Sequence, residues 1–97
     1  MIRDNGGDAI ALTADMTNEI EAENAVAKAM AYLGCINVLH NNIGDSGTGK
    51  HLGNITLDDW NTTFARNVTT AMLSCRAVVP HMQKRGSGSI INISSIA

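Results

Sequence analysis

Four groups of residues in this chain have types and positions that could serve a bound ligand. Asp15 could accept a hydrogen bond from a ligand amine. Gly44 closes the run Asn41-Asn42-Ile43-Gly44, where the missing Cβ could let the backbone approach a ligand closely. Asn67 falls inside a predicted helix, where asparagine is a weak helix former, and this indicates a local bend or a functional side chain. Ser94-Ser95 ends a later apolar run.

Each of these groups also has an interpretation without a ligand. Spacing alone favours Asp15 as a residue that starts a helix. Asn41-Asn42 could order a buried turn through side-chain to backbone hydrogen bonds, and Gly44 could be an ordinary turn residue. Asn67 could lie on a solvated helix face, and Ser94-Ser95 could simply begin a loop.

The elements that must position these groups begin with a clear helix. Thr17 or Asn18 can cap it, Glu19 and Glu21 favour its positive amino terminus, and Gly34 stops it. Small and apolar residues recur at intervals of three and four, which predicts one buried face made of Ala22, Ala25, Val26, Ala29, Met30 and Leu33.

A second, longer helix is predicted over residues 57–84. Thr56 caps it, and Asp58 and Asp59 stand in its first turn. Pro80 should kink or end it, because proline lacks the amide proton and crowds the preceding turn. The apolar positions of this helix are Trp60, Phe64, Val68, Met72 and Val79.

Three short apolar runs are predicted to be strands, namely Ala9–Thr13, Ile36–Asn41 and Ser89–Ile93, with Ile36, Val38 and Leu39 buried in the second. Strands that alternate with helices imply right-handed crossovers and a parallel sheet. Ligands bind such sheets beyond the carboxyl ends of the strands. Asp15, Asn41–Gly44 and Ser94-Ser95 all fall at such ends.

Composition excludes several classes of function. The chain has 97 residues, enough for one small domain, and a net charge of −2, which does not favour nucleic acid or an anionic membrane as partner. No apolar run approaches the ~18 residues of a membrane span, and residues 1–8 do not resemble a secretory signal. The two cysteines and three histidines show no spacing typical of metal ligands, so we expect no metal site. Cys35 and Cys75 stand far apart in the sequence and are predicted to be two buried thiols in a reducing cytoplasm, with a disulfide or metal pair as the less favoured alternative.

A phosphate-binding loop is an alternative for residues 44–50. Gly44 to Lys50 fits the pattern G-x-x-x-x-G-K after a strand, but His51 stands where that motif needs Ser or Thr to hold Mg²⁺. Gly53 also separates Lys50 from the helix that it should open. A nucleotide-binding protein that uses Lys50 is therefore the weakest of the alternatives.

Taken in order, the motifs resemble the classical short-chain dehydrogenase/reductase family over nearly the whole chain. Asp15-Met16 is similar to the family's pair after its third strand, and Asn41-Asn42-Ile43-Gly44 to its N-N-A-G, with Ile43 in place of the usual Ala. Asp59-Trp60 and Asn67-Val68 resemble the start and middle of the family's fifth helix. Asn92 to Ser95 resembles the end of its fifth strand.

The resemblance implies roles for these residues. Asp15, Met16, Asn41, Asn42, Ile43 and Gly44 would line the adenosine half of NAD or NADP, without deciding between the two. Asn67 would support the proton relay, and Ser95 would bind the reacting oxygen of a small carbonyl or alcohol substrate. The resemblance also implies a partial Rossmann-like doubly wound α/β fold, in which residues 1–97 form one NAD(P)-binding domain.

Two elements of the family pattern are missing from these 97 residues. The glycine-rich phosphate turn is absent, and so is the Tyr-x-x-x-Lys pair: the single tyrosine, Tyr32, is followed four positions on by Ile36. Tyrosine near its free pKa of about 10 is a poor base at neutral pH without a nearby positive charge. We therefore expect an internal fragment of a short-chain oxidoreductase that is inactive as an isolated chain.

A second hypothesis is a non-catalytic interaction module. The family's fifth helix is an oligomer contact, and residues 57–84 could keep that role and make a homo-oligomer through Ala65, Val68, Met72, Ala77 and Val79.

Overall fold

The structure, a computed structural model, describes residues 6–44 and 49–93. In these residues the elements are α1 (Glu19–Leu33), β1 (Val38–Asn41), a 3-10 turn (Leu52–Asn54), α2 (Leu57–Phe64), a π-helical turn (Ala65–Thr69), α3 (Thr70–Arg85) and β2 (Ser89–Asn92).

Helix α1 begins and ends where the sequence predicts. The Asn18 side chain accepts a hydrogen bond from the Glu21 amide at 3.0 Å, which satisfies one of the amides that the first turn leaves unpaired. Gly34 ends the helix with a φ of 82°, a conformation that side-chain-bearing residues rarely adopt. The buried face is shorter than predicted, because Leu33 in the last turn is 59% exposed.

Helix α2 starts with a capping box. The Thr56 hydroxyl accepts from the Asp59 amide at 3.0 Å, and the Asp59 carboxylate accepts from the Thr56 amide at 3.1 Å. Each residue thus satisfies a backbone donor of the other, which confirms the predicted start at Thr56. The helical path then continues through the π turn into α3.

Pro80 does not end the helix, so that part of the prediction is wrong. Helix α3 continues past Pro80 to Arg85. Proline in a helix interior costs about 3 kcal/mol or more, through one lost hydrogen bond and crowding of the preceding turn. Val78, which is fully buried, and Met82, 8% exposed, flank Pro80 and pack into the core. Burial of apolar side chains on both sides of Pro80 offsets the cost.

Strands β1 and β2 form a parallel pair with Val38 opposite Ser89 and Asn41 opposite Asn92. The predicted α/β class with a parallel sheet is confirmed. The prediction of a strand over Ala9–Thr13 is wrong, because this segment is not part of the described sheet, which contains only β1 and β2. A strand needs a neighbouring backbone to complete its hydrogen bonds, and Ala9–Thr13 does not pair with β1.

One burial prediction on these elements also fails. Val38 is 54% exposed, whereas Leu39 packs against the core, because successive side chains of a strand point to opposite faces and α1 and α3 supply the core side. Ala77, which was named for the predicted oligomer contact, is partly buried against the core, and the oligomer contact itself stays a prediction.

The core lies between α1, α3 and the amino-terminal half of the two strands. Val26, Val78 and Met82 form its buried centre, and the partly buried residues around them are Met30, Ile36, Leu39, Ala77 and Ile90. Gly86, with a φ of 76°, closes α3, and the Ser87 amide donates back to the Met82 carbonyl at 3.2 Å. The chain enters β2 directly after this turn, next to the Met82 side chain.

Candidate functional site

The carboxyl ends of β1 and β2 are joined by side chains as well as by backbone. Asn41 and Asn92 stand opposite each other in the register, and Asn41 Nδ2 donates to Asn92 Oδ1 at 2.8 Å. The same nitrogen lies 3.5 Å from the Cys75 sulfur on α3. Asn41 therefore links both strands to the helix that covers them. A side-chain amide carries both donors and acceptors, and Asn41 uses its donors to hold these segments together.

Gly44 and Asn67 lie against each other, although 23 positions separate them (67 − 44). A Cβ added to Gly44 would overlap the Asn67 side-chain oxygen Oδ1. Asn67 Nδ2 donates to the Thr63 carbonyl at 2.9 Å, inside the helical path. The close approach explains why glycine is needed at position 44, and it brings the Asn41–Gly44 run beside the mid-helix asparagine.

Asn67 stands in the π turn, where the Thr70 amide bonds to the Ala65 carbonyl five residues back. The helix therefore departs from regular α geometry at Asn67, and the predicted functional role of its side chain stays a prediction. Single π turns inside helices occur frequently at functional sites. Here the turn stands at the carboxyl edge of the sheet, next to Gly44.

A depression of about 190 Å³ lies at this edge, and it joins residues from three separate segments. Asp15, Met16 and Ile43 were all predicted from the sequence to bind a ligand, and all three line this depression. The remaining lining residues are Ala14, Thr17, Arg66 and Thr70. Its volume is below the roughly 300–1,000 Å³ of sites for whole drug-sized ligands. The depression can therefore hold one ring of a dinucleotide and not the entire molecule.

Asp15 is exposed and held as a carboxylate. The Thr17 hydroxyl and the Thr17 amide both donate to Asp15 Oδ1, at 2.5 Å and 2.9 Å. These two hydrogen bonds lower the pKa of Asp15 below its ordinary value of 3.8. The Asp15 carbonyl also accepts from the Asn18 amide at 3.0 Å. Asp15 thus orders the turn before α1 as an ionised carboxylate.

The remaining predicted site residues have different outcomes. Asn42 is exposed beside this edge. Ser95 lies outside the described residues. Arg66 and Thr70 line the depression without having been predicted from the sequence. Because the two residues are four positions apart, they lie on one helix face, and this spacing was the sequence feature that could have identified them.

The structure does not support the phosphate-loop alternative. Lys50 Nζ forms an ion pair with Asp59 Oδ2 at 2.8 Å, which ties Lys50 to the start of α2. This pairing and the capping hydrogen bond from Thr56 lower the pKa of Asp59. Lys50 does not open a helix, because a 3-10 turn over Leu52–Asn54 comes next. Residues 45–48 of the motif lie outside the described part.

Other kinds of site were sought in the same residues. Within residues 6–44 and 49–93, no group of three or more His, Cys, Asp or Glu side chains is placed to hold a metal ion. Cys35 and Cys75 are free and half-buried. No helix of the described chain has the length and apolar character that crossing a membrane requires.

Comparison with known proteins decides the family. The family model for short chain dehydrogenases matches residues 1–97. The chain belongs to the short-chain dehydrogenase family. Its relatives include glucose 1-dehydrogenase 2 of Bacillus subtilis, which is 32% identical over 97 residues, 99% of this chain and 38% of that protein. The 2-(R)-hydroxypropyl-CoM dehydrogenase of Xanthobacter autotrophicus is 38% identical over 86 residues, 87% of this chain and 34% of that protein.

Solved structures of the family share the fold. NAD⁺-bound xylitol dehydrogenase superposes with a TM-score of 0.90 at 29% identity, covering 96% of this chain and 36% of that one. A metagenomic short-chain oxidoreductase in complex with NADP superposes with a TM-score of 0.89 at 30% identity, covering 98% of this chain and 43% of that one. The present chain spans 34–38% of the length of the two dehydrogenase relatives.

Proposed function

We propose that this chain is the central segment of an NAD(P)-dependent oxidoreductase that transfers a hydride between nicotinamide and a small carbonyl or secondary alcohol. The observation that carries the proposal is the depression at the carboxyl edge. Asp15 and Met16 precede α1, whereas Ile43 follows β1, yet all three line it. A dinucleotide site in an open parallel sheet lies at this edge.

The residues at this edge fit the adenosine half of such a cofactor. Met16 and Ile43 line a largely apolar surface, and Gly44 presents backbone without a side chain. Asp15, which is ionised, is among the same lining residues, and its carboxylate would accept a hydrogen bond from a ligand amine. Asn41 holds the two strand ends together through Asn92. The nicotinamide end of a bound cofactor supplies or accepts the hydride.

Asn67 and Ser95 are the proposed residues of the reaction itself. The Asn67 side chain bonds to the Thr63 carbonyl and contacts Gly44, so that the π turn has a fixed position beside the cofactor edge. A fixed polar group of this kind is suited to hold a water in a proton relay. Ser95, three positions beyond the end of β2, would donate a hydrogen bond to the reacting oxygen.

A chimera tests the proposal directly. Residues 1–97 would replace the matching segment of Bacillus subtilis glucose 1-dehydrogenase 2, with which they align over 97 residues. We expect the chimera to oxidise glucose with NAD⁺ or NADP⁺, measured as the absorbance of the reduced cofactor. Replacement Asn67→Leu should lower kcat by about 100-fold, the lower range for a lost proton-relay group.

The matched control is Asn61→Leu, an exposed asparagine of α2. It should leave kcat within about twofold, as expected for a surface substitution. A chimera that folds, as judged by circular dichroism, but shows no cofactor-dependent oxidation would contradict the proposed function.

We also propose that the isolated 97-residue polypeptide has no turnover. Tyr32 is its single tyrosine, and it stands in the last turn of α1, at the end of the sheet opposite to Asn67. Its hydroxyl donates to Asp8 Oδ1 at 2.6 Å. The polypeptide would be mixed with NADH or NADPH and a panel of aldehydes and ketones, and consumption above the protein-free rate would show the inactivity proposal to be wrong.

A second candidate function, self-association, is favoured by an exposed apolar stripe. Trp60, Phe64, Val68 and Met72 follow one another at intervals of four along α2, the π turn and α3, and each is 46–52% exposed. The rings of Trp60 and Phe64 are in contact, with centroids 4.9 Å apart. Apolar residues at this spacing form one helix face, which is typical of helix pairing.

Light scattering after size-exclusion chromatography tests self-association. A dimer that Phe64→Asp converts to monomer, and that Asn61→Asp leaves intact, would support it. A monomeric or aggregated unsubstituted chain would contradict it.

A further inference from the structure

Thr70 stands where the π turn joins α3, and it is one of two polar residues that are buried among the described residues, with 4% exposure. Its amide donates to the Ala65 carbonyl, five residues back. In a regular α-helix the same amide would donate to the Arg66 carbonyl, four residues back. The π turn therefore takes from the Arg66 carbonyl the backbone donor that regular geometry would give it.

The Thr70 side chain replaces that donor. Its hydroxyl donates to the Arg66 carbonyl at 2.9 Å. A threonine hydroxyl can do this from within a helix, because it reaches the carbonyl three or four positions back. Thr70 thus serves the Ala65 carbonyl with its amide and the Arg66 carbonyl with its hydroxyl. The π turn then forms without depriving a partly buried carbonyl of a donor, which would be unfavourable.

The position of Asn67 depends on this turn. A π turn takes in one residue more than an α-helical turn, and one residue corresponds to about 100° of rotation around a helix. Val78 and Met82 fix α3 in the core. Regular α geometry would therefore rotate the residues before Thr70 by up to about 100° relative to α3, and Asn67 would no longer lie against Gly44.

Ser74, one turn further along α3, makes a hydrogen bond of the same kind in a regular setting. Its hydroxyl donates to the Thr70 carbonyl at 2.8 Å, and the residue is 3% exposed. The acceptor of this bond lies within α3, whereas the acceptor of the Thr70 hydroxyl lies in the π turn. The two buried hydroxyls thus differ in the helix geometry that they support.

We propose that Thr70 is a positioning residue of the candidate site, which holds the π turn through the Arg66 carbonyl and thereby holds Asn67 against Gly44. The inference rests on the proposed function and deepens it, because it assigns the placement of the proton-relay residue to a side chain outside the relay. Thr70 acts on the reaction only through Asn67. Loss of its hydroxyl should therefore lower kcat and leave the KM for the substrate unchanged.

The first test is spectroscopic and uses the ¹³C,¹⁵N-labelled 97-residue chain. Thr70→Val removes the hydroxyl and keeps the shape of the side chain, so the Arg66 carbonyl resonance and the Asn67 side-chain amide resonances should shift. Thr70→Ser keeps the hydroxyl and should leave both near their original positions. Ser74→Ala is the matched control, because it removes an equally buried hydroxyl and should not shift the Asn67 resonances.

The chimera with glucose 1-dehydrogenase 2 measures the consequence for the reaction. Thr70→Val should lower kcat by about tenfold, less than the roughly 100-fold loss that a misplacement of about 1 Å can cause, with the KM for glucose unchanged. Thr70→Ser and Ser74→Ala should leave kcat within about twofold. In the Asn67→Leu chimera, Thr70→Val should add no further loss, because a residue that acts through Asn67 then has nothing to position.

Unshifted Asn67 resonances in Thr70→Val would overturn the proposal, as would a loss of kcat that Thr70→Ser shares or that adds fully to Asn67→Leu. If Thr70→Val does not fold by circular dichroism, Thr70→Ala against Thr70→Ser makes the same comparison. An active chimera whose kcat does not respond to Thr70→Val removes the role of Thr70 and leaves the oxidoreductase proposal standing. An inactive chimera, together with Asn67 resonances that depend on the Thr70 hydroxyl, supports the role of Thr70 and contradicts the proposed function.

Discussion

The two ends of the β1–β2 pair are held together by different forces. At the amino end, helices α1 and α3 terminate, and Val26, Val78 and Met82 bury apolar surface against the strands. At the carboxyl end, hydrogen bonds between side chains link the segments, as between Asn41 and Asn92. The residues at that end are more exposed than the core, with Asp15 and Ile43 as examples.

The residues that stabilise the fold therefore lie at the amino end of the strands, and the residues of the candidate site lie at the carboxyl end. Burial of apolar side chains is the dominant favourable term in folding, and it needs no exposed group. A ligand site needs exposed donors and acceptors, which contribute little to folding because water competes for them. Changes at the amino end should therefore act on the free energy of unfolding, and changes at the carboxyl end on the site.

The largest expected effect comes from the amino end. Val78→Ala removes two methyl groups from a side chain with no exposure, and it should lower the free energy of unfolding by about 2 kcal/mol. Val68→Ala makes the same chemical change at a position that is 52% exposed on the same helical path, and should cost about 0.5 kcal/mol or less. Urea denaturation of both variants measures this; equal losses would break the comparison.

Gly44→Ala should lower the free energy of unfolding less than Val78→Ala does, but it should displace the Asn67 side chain. The added methyl group overlaps Asn67 Oδ1, so the Asn67 side chain must move away from the Thr63 carbonyl, at a cost of about 1 kcal/mol. The Asn67 side-chain amide resonances should shift. Gly53→Ala is the control, since nothing lies within 4 Å of its Cβ position. Unshifted Asn67 resonances in Gly44→Ala would mean that the two segments do not meet.

The smallest effect concerns protonation at the carboxyl end. Because Thr17 holds the pKa of Asp15 below 3.8, the folded chain releases this proton more readily than the unfolded chain does. The resulting stabilisation is present above pH 3.8 and is lost as the pH falls through the lowered folded value. Thr17→Val removes the hydroxyl donor, so the pKa of Asp15, followed by carboxyl ¹³C shifts, should rise toward 3.8. An unchanged titration would assign the shift to another cause.

Local chemistry in the sequence predicted the helix boundaries well. Asn18, Gly34 and Thr56 stop or start helices through bonds to residues within four positions, so no distant partner is needed. The parallel pairing of the second and third apolar runs also followed, from alternation of strand and helix. The Asp15-Met16 pair and Ile43 were predicted as site residues from motifs and their order, and all three line the depression at the carboxyl edge.

Predictions that depended on distant neighbours were less successful. Ala9–Thr13 has the pattern of a strand but does not pair with β1, and Pro80 has the chemistry of a helix end but stands in a helix held by its packing. Arg66 was missed for the same reason. Its position in the depression depends on the π turn and on α2 and α3 lying over the ends of the strands.

The order of motifs in the sequence by itself determined the family and the edge of the sheet at which the candidate site is predicted, and capping residues determined the starts of α1 and α2. Only the tertiary structure decided that Gly44 lies against Asn67, that Arg66 lines the same depression as Asp15, and which apolar residues are buried. The physical reason is the separation along the sequence of the residues that interact. Caps and turns are set by hydrogen bonds between residues close in sequence, whereas burial and site assembly depend on surfaces that meet only after the chain has folded.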